Sequence, residues 1–89
     1  MEITWTPPQK APFGSTGIEI DVECGILDGV PTEIARFMLY QSPEAAENLP
    51  TMWILFDAEA KTQWFLYGEG WGGAREAGKK RILEVLEGV

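Results

Sequence analysis

Histidine is absent from the 89 residues, which removes imidazole acid-base chemistry, Ser-His and Cys-His dyads and His-ligated metals. Cysteine occurs once, at Cys24. It can close no intramolecular disulfide and belongs to no zinc-knuckle spacing, so the chain reads as one kept in a reducing compartment, the cytoplasm. No stretch approaches the ~20 apolar residues that span a bilayer, and MEITWTPPQKAPFG lacks a basic segment followed by an apolar one. Membrane insertion and secretion are both disfavoured. Bases are scarce too, seven against fourteen acids for a net charge of −7, which repels nucleic acid and anionic membrane and attracts basic surfaces. No two of the acids have the isolated apolar setting that would push their pKa values apart for acid-base catalysis. The expectation is a non-enzymatic binder without cofactor or metal.

Large apolar side chains are plentiful. Hydrophobic residues make up 45% of the chain, with four Trp, four Phe and two Tyr, enough for one core in one small domain over residues 1–89. Residues 6–14, TPPQKAPFG, hold three prolines and a glycine and read as an extended arm within residues 1–16, with Ile3 to Thr6 able to pair at an edge. The compact core is expected over 17–89. From Gly17, Ile18, Ile20, Val22, Cys24 and Ile26 alternate with Glu19, Asp21, Glu23 and Gly25, the period of a half-buried strand. This places Cys24 on the core side, where a thiol is an inert small hydrophobe.

Asp28-Gly29 suits a two-residue turn whose central positions need positive φ. The hairpin it closes pairs Leu27 with Val30, Val22 with Ala35, Asp21 with Arg36, Ile20 with Phe37 and Ile18 with Leu39. A helix over 32–40, capped by Thr32, competes with that second strand, and the strand is favoured. Ser42-Pro43-Glu44 starts a short helical connector near 43–49 that Pro50 ends. Met52 to Phe56 and Trp64 to Tyr67 read as a second hairpin of central strands. After Gly72-Gly73, Trp71, Ala74, Gly78, Ile82, Val85 and Val89 form the stripe of an amphipathic helix. The sum is an α+β fold, a mainly antiparallel four-stranded sheet from two hairpins with the C-terminal helix on one face.

Residues 68–73, GEGWGG, match G-x-G-x-x-G between a strand and a helix. The chain runs only sixteen residues past Gly73, without the following parallel strand that a dinucleotide site requires, so the stretch reads as a strand-to-helix turn. A weaker anion site built with Arg75 is opposed by Glu69. Arg75, Lys79, Lys80 and Arg81 crowd the tail, and residues 75–89 carry a net +1 against −8 for 1–74. They read as a solvated helix face.

Two surfaces are candidates for binding. Glu19, Asp21 and Glu23 project from one strand face at roughly 6.6 Å intervals, the order of a phosphate repeat, with Asp28 in the turn beyond. Such a row is a solvated face with Arg36 neutralising Asp21, a binding surface that mimics nucleic-acid charge, or, least fittingly because a straight row does not converge on one point, a Mg²⁺ or Ca²⁺ site. The second candidate is aromatic. One helix covers one face of the sheet, so Trp53, Trp64, Phe65, Tyr67 and Trp71 either lie under the connector and arm or mark an exposed interface. The leading expectation, with Glu19, Asp21, Glu23, Asp28, Trp53, Trp64 and Trp71 as contact residues, is a small acidic inhibitor. It would engage a basic protein surface, as an anti-CRISPR or anti-restriction phage protein does. The alternative is a homodimeric or assembly subunit that buries its aromatic face.

Overall fold

A computed structural model describes residues 2–29 and 36–88, and within it the alternating stretch after Gly17 is the longest strand. In chain order the elements are β1 (Ile3–Trp5), β2 (Gln9–Pro12), β3 (Glu19–Leu27), β4 (Phe37–Tyr40), α1 (Pro43–Asn48), β5 (Met52–Asp57), β6 (Thr62–Tyr67) and α2 (Gly70–Glu87). All pairings are antiparallel, in the order β1-β3-β4-β5-β6, with β2 beside β1 on the outer edge of β3. The α+β class, the connector and the C-terminal helix on one face are as the sequence suggests. No described helix is long and apolar enough to cross a membrane.

Among the described residues the sheet has six strands rather than four, because the proline-rich arm is part of it. Pro7-Pro8 interrupts an edge that pairs on both sides of the break, β1 with residues 25–27 and β2 with residues 19–22 of β3. An edge strand tolerates proline, since its outward groups need no ladder partner. Thr6 ties the break down: its amide donates to the Cys24 carbonyl and its hydroxyl accepts from the Cys24 amide, each at 2.9 Å. β6, expected to be central, is the last strand of the sheet.

Asp28 and Gly29 do take positive φ, 53° and 69°, but they do not close a tight hairpin. Val30 and Ala35 lie outside the described residues. Among the described pairs, Phe37 lies opposite Gly25 rather than Ile20, Leu39 opposite Glu23 rather than Ile18, and Val22 opposite Tyr40. Asp21 faces Lys10 of β2, and Arg36 is not its partner. The slip is by an odd number of residues, and an odd slip exchanges the faces of a strand. Residues 37–40 are strand, which decides the helix alternative there in the strand's favour.

The core lies between the sheet and α2. Phe37, Leu39, Leu55 and Ile82 are fully buried, joined by Ile3, Trp53, Leu66 and Ala74. Gly78 sits in the middle of the helix stripe, where a Cβ would come within 3.1 Å of the Trp5 ring. The small residue therefore lets α2 approach β1. α1 starts as its sequence dictates: the Ser42 hydroxyl accepts from the Ala45 amide at 3.1 Å and Pro43 takes the first turn.

Candidate functional site

Cross-strand partners share a sheet face, so the registers assign every strand side chain to a side. Leu39, Leu55, Leu66, Phe37 and Trp53 face α2. With them lie all five charged strand residues, Lys10, Glu19, Asp21, Glu23 and Asp57. The other side presents Ile20, Val22, Cys24 and Ile26 of β3, Met38 and Tyr40 of β4, Met52, Ile54 and Phe56 of β5, and Gln63, Phe65 and Tyr67 of β6. Thr4 of β1 and Gln9 and Ala11 of β2 complete it, and none of these residues is charged. The helix side thus carries both the core and all the strand charge, and the side away from the helix is uncharged, where a sheet face in water ordinarily carries the polar half of the alternation.

Two ion pairs make the charged side workable. Glu23, with no exposed surface, accepts from Arg75 Nε at 2.8 Å and Nη2 at 2.6 Å, a fork joining β3 to α2. Donating to the Glu23 carboxylate raises the Arg75 guanidinium above its ordinary pKa. Asp57, also fully buried, accepts from Arg36 Nε and Nη2 at 3.1 Å and from the amides of Glu59 and Ala60. Burial pushes the Asp57 carboxyl up, but the Arg36 bond and the two amides outweigh it, so its pKa lies below the ordinary value.

The carboxylate row is therefore broken. Glu19 is exposed, Asp21 is held by Lys10 at 3.0 Å, and Glu23 offers no oxygen to a partner. Asp28 is exposed, and its Oδ1 accepts from the Glu2 amide at 2.8 Å. The tryptophans lie toward the helix rather than on an open face. Trp53 is buried, donates to the Gly68 carbonyl at 3.2 Å and packs at 4.8 Å between ring centroids on Trp71. Trp64 and Trp71 pack partly buried against the core. Glu19, Asp21, Trp53 and Trp71 nevertheless meet around one cavity of about 310 Å³ at the β2, β3 and α1 corner, with Lys10 and Gln41.

The GEGWGG stretch serves packing. A Cβ on Gly68 would lie 2.5 Å from the Gly73 carbonyl carbon, so these glycines let the exit of β6 touch the first turn of α2. Of the basic residues beyond it, Arg75 is committed to Glu23 and Arg81 bridges Glu84 at 3.1 Å.

The uncharged face is what the sequence reading missed, although its residues were in view. Cys24, expected in the core, lies on it partly buried. Phe65 and Tyr67 are exposed by 56% and 71%, whereas Val22 and Ile54 near its middle are covered by their neighbours. The loop after β2 reaches over one side, where Phe13 meets Tyr40 edge-on at 6.4 Å. Between them lies a cavity of about 300 Å³ lined by Ile20, Met38, Phe56 and Gln63 among others. Burial raises the Tyr40 pKa above its ordinary value. The signal that could have located this face is the glycine at position 25: a strand row containing Gly25 can admit Trp5 and Ile82, whose atoms lie 3.4 and 3.5 Å from where its Cβ would be. Among the described residues no group of three or more Cys, Asp and Glu is arranged to hold a metal. Comparison with protein families, with curated proteins and with solved structures finds no match.

Proposed function

We propose that this chain is a non-catalytic binding subunit that docks on another protein through its uncharged sheet face. One observation carries the reading: in a chain of net charge −7, all five charged strand residues lie on the opposite side. A sheet face in water ordinarily carries the polar half of the alternation, and a contiguous apolar patch of more than a few hundred Å² marks an interface. Face-to-face contact here desolvates no charge, so the partner surface is matched by being uncharged, and a second copy qualifies as one such surface.

A second reading, the acidic inhibitor of a basic protein such as a nuclease of a defence complex, is favoured by the convergence of Glu19, Asp21, Trp53 and Trp71 on one cavity. A cationic side chain would meet both carboxylate and indole there. The two readings respond oppositely to salt and to mutation. The test is sedimentation of the chain alone, then partner capture at 50 and 500 mM salt, for wild type, Met38→Lys/Phe56→Lys and Glu19→Gln/Asp21→Asn. Docking through the open face survives high salt and is lost in the lysine pair. Association that vanishes in high salt and in the Gln/Asn pair, while the lysine pair retains it, refutes the first reading.

A further inference from the structure

β6 ends the sheet, and its outer side pairs with no strand among the described residues. A strand in that position turns alternate N–H and C=O groups outward, a template for another chain. Such edges are ordinarily blocked by proline, charge, a bulge or short length. Thr62–Tyr67 has no proline and no charge, and it steps one for one against β5 over six residues. The other end of the sheet is guarded, because β1 and β2 cover the outer edge of β3 and β2 carries Lys10 and Pro12.

A cavity of about 230 Å³ is lined by residues 65–67 of β6 and by Ala77, Lys80, Arg81 and Glu84 of α2. Consecutive strand residues point to opposite faces, and β5 fills the inner side, so a space touching all three follows the outer edge. Its walls differ. On the helix side Arg81 bridges Glu84 at 3.1 Å, and Lys80 has no ion-pair partner among the described residues, which leaves that wall one positive charge in excess. On the open side stand Phe65 and Tyr67, both exposed.

We propose that this groove receives an extended segment of a partner protein as a seventh strand on β6, with acidic side chains toward Lys80 and Arg81 and apolar ones beside Phe65 and Tyr67. Main-chain bonds to the free edge supply affinity, and the period of two makes an alternating acidic and apolar segment the fitting sequence. A second copy does not match, because its β6 would offer Thr62, Trp64 and Leu66 to the cationic wall. The proposal rests on the chain being a protein-binding subunit, and it has a readout of its own.

The experiment titrates the full chain into a fluorescein-labelled octapeptide of alternating Asp and Val and follows anisotropy and amide exchange. Ser/Val, Lys/Val and proline-interrupted Asp/Val peptides serve as controls. The expected result is saturable binding of Asp/Val, with Ser/Val weaker by about ten-fold and the other two weaker still. Alternate β6 amides gain protection in the complex. Lys80→Glu/Arg81→Glu weakens Asp/Val by about ten-fold or more and improves Lys/Val, whereas Met38→Lys/Phe56→Lys leaves Asp/Val binding unchanged. Three results overturn the proposal: no saturable binding by chain of intact circular dichroism, equal binding of Ser/Val, or loss of binding in Met38→Lys/Phe56→Lys. Protection of the β6 amides that grows with protein concentration in the absence of peptide also overturns it, since a second copy then holds the edge. The open-face reading stands or falls separately, on capture by the lysine pair.

Discussion

Replacing Arg75 by methionine keeps most of the side chain's bulk and leaves the Glu23 carboxylate buried without its fork. Removing one partner of a fully buried pair costs about 3–5 kcal/mol, and exposed pairs contribute about 0–1 kcal/mol. Here the carboxylate has no exposed surface and the guanidinium side chain is 41% exposed, so the cost falls between, at about 2–4 kcal/mol at pH 7. A buried carboxylate left without a partner is relieved by taking up a proton, and that becomes easier in acid. The loss should therefore shrink as pH falls. Urea unfolding followed by tryptophan fluorescence, with thermal melts by circular dichroism, measures both. At pH 7 the melting temperature drops by roughly 10–25 °C, and at pH 5 by less. Glu23→Met/Arg75→Met recovers most of the stability, because an apolar pair of similar volume replaces a desolvated ionic one. A melting temperature within about 3 °C of wild type at pH 7 would refute the reasoning, as would a loss independent of pH or a double variant no better than the single one.

Asp57→Asn tests the second pair. The Asp57 carboxyl is held below its ordinary value of 3.8, so the stability it contributes is complete above that value and is lost as pH falls through the lower folded one. The variant is less stable by about 1–3 kcal/mol at pH 7 and has a shallower acid limb. Parallel stability curves from pH 7 down to pH 2 would exclude this. Gly68→Ala forces the Gly68 and Gly73 backbones apart and costs about 2 kcal/mol or more. Gly72→Ala, in open space within the first turn of α2, adds about 0.5–1 kcal/mol instead. Equal melting temperatures for the two variants would mean that the close approach is not what selects glycine at position 68.

Local chemistry made several elements legible. Ser42-Pro43 marks the start of α1 locally, because its hydroxyl caps the Ala45 amide and the amide that Pro43 lacks needs no partner in the first turn. The β5–β6 hairpin and α2 follow from residue type and period. The faces were not legible in this way, since an alternating strand presents two rows and does not say which one meets the helix. Ordinary alternation would turn Ile20, Val22 and Cys24 toward the helix and Glu23 away from it, and the structure does the reverse. Its reasons are distant in sequence. Gly25 admits Trp5 and Ile82, and Arg75 meets Glu23 across 52 residues. The edge position of β6 was hidden as well, because a hairpin does not reveal which of its strands finds a further neighbour.

The sequence by itself determined a small α+β chain of −7 charge, without histidine or a disulfide, with its helices and most strands marked by cap, turn and period. Only the tertiary structure decided where the charge goes. Strand register and the Glu23–Arg75 pair are long-range choices made by packing, and they turn the charged row toward the helix and the apolar row outward.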